Sequence, residues 1–213
     1  MSTSNKPLFI SFEGIDGCGK STQVKILLER LDQAGIDSTL VREPGGTHIS
    51  EEIREVLLTN RDDTMADRTE TLLMTASRAQ LTHDIIIPSQ EKGKFVIADR
   101  FADSTLAYQG GGRGLNLDWL IKLNEFATFG VRPDLTFFID ITAEVGARRR
   151  STVHPDRLEN VGHDFQEKVR NQYLKLVKLF PDRFITLDGI ESPDVIHPRI
   201  WSEVKKRMNK NEK

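Results

Sequence analysis

Gly14-Ile15-Asp16-Gly17-Cys18-Gly19-Lys20-Ser21 matches the phosphate-loop pattern G-x-x-x-x-G-K-[ST] at every fixed position. The flanks fit as well. Leu8-Phe9-Ile10-Ser11-Phe12 is an apolar run that reads as a buried strand. Val24, Leu27, Leu28 and Leu31 follow at the spacing of an amphipathic helix. A chance turn before a helix would not need both neighbours. Glycines at 14, 17 and 19 allow positive φ and close backbone approach to an anion. Loop amides and the helix N-terminus supply partial positive charge. The run Gly14, Ile15, Asp16, Gly17, Cys18, Gly19, Lys20, Ser21 and Thr22 is therefore assigned to a nucleotide. Lys20 is expected on its terminal phosphates, and the Ser21 hydroxyl on Mg²⁺.

The whole chain fits around that loop as one domain, residues 1–213. It is long enough to bury roughly 70% of its unfolded surface. A net charge of −2 supplies no basic field for nucleic acid. Cys18 is the only cysteine, so no intrachain disulfide is expected, and inside the loop it reads as a small filler. No apolar run approaches the ~20 residues that span a bilayer. Met1 to Lys6 lack the apolar core of a signal peptide, so a cytoplasmic protein without membrane partners is expected. The basic tail from Lys205 reads as a solvated helix end.

Apolar runs alternate with helical patterns, which predicts an α/β fold on a parallel sheet with helices on both faces. The five strands are expected at Leu8–Phe12, Ser38–Arg42, Phe95–Ala98, Leu135–Ile139 and Phe184–Leu187. Helices are expected at Thr47–Leu58, with Ile49, Ile53, Val56 and Leu57 inward, and at Asp67–Ile87, closed by Pro88. Further helices are expected at Leu117–Phe129, Thr142–Arg150, Asp164–Phe180 and Pro193–Met208, the last interrupted by Pro198. Glu43-Pro44-Gly45-Gly46, Arg61-Asp62-Asp63 and Gly110–Gly114 read as turns, and Ser151–Leu158 as an exposed loop.

Ligands of such a sheet sit beyond the carboxyl ends of its strands. Asp16, Arg42-Glu43 and Asp99-Arg100 all fall there. Asp99, after four apolar residues, suits Mg²⁺ or its water. Asp140 also ends a strand, but bland neighbours make it a helix cap. Lys20, Arg42 and Arg100 would put three cations in one crevice, more than a single triphosphate terminus requires. Two phosphorylated substrates would meet there.

Four blocks now carry a resemblance: Glu13 to Thr22, Arg42 to Thr47, Asp99-Arg100-Phe101-Ala102-Asp103-Ser104, and Ala107 to Gly114. In this order they resemble thymidylate kinase of the bacterial type, a P-loop nucleoside-monophosphate-kinase fold with a short lid, here about residues 148–158. Arg132-Pro133-Asp134 before the fourth strand fits too. The resemblance implies transfer of the ATP γ-phosphate to dTMP, with Mg²⁺, in a homodimer. Arg42 and Arg100 would bind the dTMP phosphate, and Asp16 the sugar 3′-hydroxyl. Arg78 would meet thymine O4, and Thr105 the ring N3. Tyr108 would stand where a 2′-hydroxyl would be, with Ser104 and Gln109 nearby. The residues support Arg78 independently. A buried arginine needs a partner, and a base carbonyl is one.

The chain departs from the family twice. Met74 stands where the family places a phenylalanine against thymine; its sulfur is polarisable but its chain is flexible. Lid arginines stabilise the transferred phosphoryl group in this type, and here Arg148, Arg149, Arg150 and Arg157 flank a loop whose centre, Val153-His154-Pro155, has none. Arg149 aligns best with the catalytic lid position; the other three stay open. Two rival readings remain. A nucleoside kinase would not need Arg42 and Arg100 together. A nucleotide-driven switch would turn over ATP without dTMP.

Overall fold

The computed structural model describes residues 7–60, 64–150, 157 and 161–210. The turn expected at Arg61-Asp62-Asp63, most of the Ser151–Leu158 loop and both chain ends lie outside them. Five strands form one parallel sheet: β1 (Phe9–Glu13), β2 (Ser38–Arg42), β3 (Phe95–Asp99), β4 (Leu135–Asp140) and β5 (Phe184–Asp188), in spatial order β2-β3-β1-β4-β5. β1, β3 and β4 are central and almost wholly buried, which is why they read as unbroken apolar runs. Alternation sends Ile10, Phe12, Ile97 and Phe137 into one core, and Phe9, Val96 and Ala98 into a second. The chain crosses from β1 to β2 on one side and from β3 to β4 on the other, so β1 and its neighbour β3 border the switch point where ligands bind.

Helix α1 (Lys20–Gln33) buries Val24, Leu27 and Leu31, as its spacing predicts. In α2 (His48–Leu58) the expected inward face is only half right. Leu57 is buried, but Ile49 and Val56 are exposed. The buried face of α2 includes Ser50, whose hydroxyl donates to the Ser77 carbonyl at 2.9 Å. Helix α3 (Asp67–Leu81) does not end at Pro88. It passes through a π-helical turn, Thr82–Ile86, into α4 (Ile87–Glu91). Pro88 stands at the start of α4, directly after the π-helical turn, and the helix runs on through it.

The glycine-rich stretch is a larger correction. After α5 (Ala102–Thr105) the chain stays helical, as a π-helix from Leu106 to Gly112, and turns only afterwards. These glycines permit contact. A Cβ on Gly111 would lie 2.4 Å from the Gln172 Cβ, and one on Gly112 2.5 Å from the Phe165 ring. Both partners belong to α8 (His163–Leu179), which lies directly on this segment. Between them come α6 (Leu117–Ala127), capped by Asn116, and α7 (Ala143–Arg149), capped by Thr142. Asp140 is therefore not the cap. Its carboxylate accepts two bonds from Arg170 of α8, at 2.7 and 3.1 Å. Helix α9 (Pro193–Lys210) continues through Pro198.

Candidate active site

Residues after β1 and β3 build the centre of the site. Phe12 is in register with Asp99, so the loop after Glu13 runs beside Asp99-Arg100. Gly14, Gly17 and Gly19 all take positive φ. At Gly17 contact matters as well as conformation. Its Cβ would fall 2.6 Å from the Gly146 carbonyl oxygen, and a Cβ on Gly146 would fall 2.6 Å from the Asp16 carbonyl oxygen. Two glycines thus let α7 back directly against the loop. Lys20 is buried at the loop's centre, its Nζ donating to the carbonyls of Gly14 and Ile15 at 3.2 and 3.1 Å. Cys18 is buried, as a filler should be.

A cavity of about 450 Å³ opens over this loop. Asp16, Gly17, Gly19, Lys20, Ser21 and Thr22 line it from the loop, and Asp99, Arg100, Ser104, Thr105, Tyr108 and Gln109 from the β3 side. Arg42, Met74, Arg78 and Arg149 complete the predicted set. Gly14, Ile15 and Cys18 are not on its wall; they form the loop's underside. The cavity also reaches Glu43, Pro44, Arg54, Leu58 and Arg150, which the sequence reading did not assign to a substrate.

The Ser21 hydroxyl donates to Asp99 Oδ2 at 2.7 Å. A hydroxyl and a carboxylate at this separation, beside the phosphate loop, fit the oxygen chemistry of Mg²⁺. Arg100 has φ 73. Its Nη1 donates to the Gly14 carbonyl at 2.9 Å, and its Nη2 pairs with Asp16. It also stacks over the Tyr108 ring, 5.0 Å from the centroid. Burial works to raise the Asp16 carboxyl, but Arg100 and Lys20 override it and hold that group below its ordinary range. Arg42 is half exposed and bonded to Glu51 at 3.2 Å. It sits at the end of β2, in register with Asp99, on the cavity rim.

Arg78 is fully buried, so its charge must be paired. Its partner is a protein carboxylate, which corrects the argument from a base carbonyl. Glu43 takes the Nε and one Nη2 hydrogen, at 2.9 and 2.5 Å. Nη1 goes to Thr105 and Asn124, each at 2.8 Å, and Nη2 also to the Phe101 carbonyl at 3.2 Å. All five donors are thereby engaged. Burial pushes the Glu43 carboxyl up, against the pull of Arg78. Gln109 is similarly held: its amide donates to buried Glu70 at 2.9 Å, which also accepts from Arg113 and Arg157. The polar wall is thus fixed by the protein itself.

The lid arginines separate. Arg149 Nη1 donates to the Gly189 carbonyl at 2.8 Å, which ties it to the loop after β5. Arg150 lines the same cavity, and its buried Nη1 has no hydrogen-bond partner among the described residues. Arg148 is exposed, 4.0 Å from Glu144. Arg157 Nε donates to the Leu57 carbonyl at 2.7 Å, far from the loop glycines in sequence and on the Glu70 side.

A phosphate loop after β1, an Asp-Arg pair at the end of β3, an arginine at the end of β2 and a second polar pocket between them define a P-loop nucleoside-monophosphate kinase. The thymidylate kinase family model matches residues 12–200. A thymidylate kinase of Caldanaerobacter subterraneus is 49% identical over 200 residues, spanning 94% of this chain and 96% of that one. One from Chlorobaculum parvum is 45% identical, spanning 92% and 94%. The crystal structure of thymidylate kinase from Ehrlichia chaffeensis superposes with a TM-score of 0.76 at 32% identity, covering 93% of this chain and 98% of that one. The chain belongs to the thymidylate kinase family.

Proposed function

We infer that the protein moves the γ-phosphate of ATP onto dTMP, giving dTDP on the route to dTTP. The observation that carries the reading is the single cavity holding Lys20, Arg42 and Arg100 together with the Arg78–Thr105 wall. One end suits a triphosphate and the other a nucleoside monophosphate.

The proposed roles join the geometry to what the family resemblance implies. Gly14 to Thr22 hold the donor phosphates, with the loop amides and Lys20 on the terminal ones. Mg²⁺, held by Ser21 and through Asp99, would neutralise charge on the β- and γ-phosphates. Arg100 and Arg42 grip the acceptor phosphate and aim its oxygen in line. That oxygen is already ionised near neutral pH, so the chain needs no strong general base; catalysis is positioning and charge neutralisation. Asp16, kept ionised by its cationic neighbours, accepts from the sugar 3′-hydroxyl. Tyr108, stacked under Arg100, fills the space beside C2′. By resemblance the wall of Arg78 and Thr105 would meet O4 and N3 of the base, which requires Arg78 to share a donor now given to the protein, with Met74 against the ring and Ser104 and Gln109 bracing that wall. Of the lid arginines, Arg150 is better aimed at the transferred group than Arg149. It lines the cavity and its Nη1 has no hydrogen-bond partner among the described residues, whereas Arg149 is engaged at Gly189. An arginine in that role is worth roughly 10³- to 10⁵-fold in rate.

We extend the proposal to a cytoplasmic homodimer. Ile49 and Val56 on α2, Leu72 on α3, and Trp119 and Phe126 on α6 are exposed, and α3 packs against both other helices. An apolar surface spread over neighbouring helices marks an association site. Light scattering would report a dimer, and Phe126→Glu a monomer. An unchanged mass for Phe126→Glu would refute this face. For the reaction, a coupled assay with ATP and Mg²⁺ should form ADP and dTDP in equal amounts only when dTMP is present. ADP release independent of dTMP would favour the nucleotide switch.

A further inference from the structure

Glu13 closes β1 and is completely buried, yet no role in binding or transfer falls to it. Its Oε1 accepts the backbone N–H of Phe101 at 2.8 Å. Its Oε2 accepts the hydroxyls of Ser104 at 2.6 Å and Tyr173 at 2.7 Å. The three donors come from the turn after β3, from α5 and from α8. None is a cation. The neighbouring guanidinium of Arg100 does not bond Glu13 directly: it reaches the Gly14 carbonyl, Asp16 and, at 3.3 Å, the hydroxyl oxygen of Ser104. A buried carboxylate held only by neutral donors is expensive to keep. Burial and the negative charge of Asp103 push its carboxyl up to about 7, against Ser104, Arg100 and Tyr173.

What this arrangement fixes is the backbone of Arg100. That residue has φ 73, a conformation that non-glycine residues rarely adopt. Its own N–H donates to the Phe12 carbonyl at 3.0 Å, and the next N–H, of Phe101, goes to Glu13. The peptide on each side of Arg100 is thus pinned to β1. We propose that Glu13 is a positioning residue that locks the Arg100–Phe101 peptide so that the Arg100 guanidinium meets the acceptor phosphate. It touches no substrate and acts through Arg100. The inference rests on the reading that Arg100 grips the phosphate of dTMP.

A double-mutant cycle tests it, using steady-state kinetics of Glu13→Leu, Arg100→Met and the double variant. Glu13→Leu leaves three buried donors unmatched and should raise KM for dTMP roughly 10- to 100-fold. KM for ATP should change by less than about threefold. In the Arg100→Met background the same change should add less than about threefold, because the residue it serves is gone. Glu13→Gln, which keeps an oxygen for the Phe101 N–H, should recover most of the loss. If Glu13→Leu does not fold, Glu13→Asp enters the same cycle, since a shorter carboxylate cannot reach all three donors. Equal effects on both KM values, or a full additive loss beside Arg100→Met, would overturn the proposal. An impaired Arg100→Met beside a wild-type Glu13→Leu would sink this inference alone. An Arg100→Met with unchanged KM for dTMP would sink the phosphate assignment with it.

Discussion

Gly111→Ala adds one methyl group where the π-helix meets α8. Its Cβ would stand 2.4 Å from Gln172 Cβ, 2.9 Å from Gln172 Cγ and 3.0 Å from the Lys168 carbonyl oxygen. The first and last of these are tied to backbone, so the two helices must separate. Overpacking of this kind costs ~1–3 kcal/mol, and a clash against backbone belongs at the upper end. Alanine's better helix propensity returns at most about 1 kcal/mol. The net loss should be about 2 kcal/mol, or a fall in Tm of roughly 4–8 °C for a chain of this size. Gly110→Ala is the control. Its Cβ would meet only the ends of Leu120 and Leu117, at 3.3 and 3.5 Å, so its Tm should stay within about 2 °C of wild type. Tyr108 and Gln109 stand on the same π-helix, so Gly111→Ala should also raise KM for dTMP. Differential scanning calorimetry of the three proteins decides the matter. Equal melting of Gly111→Ala and Gly110→Ala would refute the claim that these glycines exist for helix contact.

Glu43→Gln removes the countercharge of Arg78 and leaves a buried guanidinium uncompensated, so urea unfolding should show a loss of ~3–5 kcal/mol; a loss under about 1 kcal/mol would mean the pair is replaceable. Glu13 should make stability fall with rising pH. Its carboxyl moves from 4.5 to about 7 on folding, so the folded state holds the proton more tightly; the stabilisation is whole below 4.5 and lost as pH rises to about 7. Relative to Glu13→Gln, wild type should therefore lose about 3 kcal/mol between pH 4.5 and 7, and a gap independent of pH would contradict it. Asp16→Ala should cut transfer to dTMP by at least about tenfold, one lost charge-assisted bond, while leaving the fold intact; unchanged turnover would remove Asp16 from the site. The thymine methyl is worth only ~1–3 kcal/mol, so dUMP should be a poorer substrate that still turns over.

The sheet was legible because buried parallel strands must be apolar throughout, and Phe95-Val96-Ile97-Ala98 permits no other reading. The phosphate loop was legible because its glycines and lysine answer to a ligand, and ligand geometry leaves a fixed spacing. Other features were legible only in three dimensions. Glycines that end a helix and glycines that let another helix touch are the same letters, so Gly110–Gly112 looked like a turn. Arg78 was marked as odd by its apolar neighbours, but Glu43 lies 35 residues earlier and nothing local joins them. A pair between a strand end and a helix 30 residues on is likewise invisible locally, so Asp140 looked like a cap although Arg170 holds it. Gly146 backs the phosphate loop from a helix that carries no motif of its own. Exposed Ile49 and Val56 obey helical periodicity but face away from the core, which periodicity alone cannot tell.

The most direct test compares kcat/KM for dTMP and thymidine in the wild type and in Arg42→Met/Arg100→Met. Two charge-assisted contacts to the acceptor phosphate are worth roughly 10²- to 10⁴-fold, so wild type should prefer dTMP by that ratio and the double variant should lose most of it. A wild type that prefers thymidine, or a preference for dTMP that survives loss of both arginines, would contradict the account.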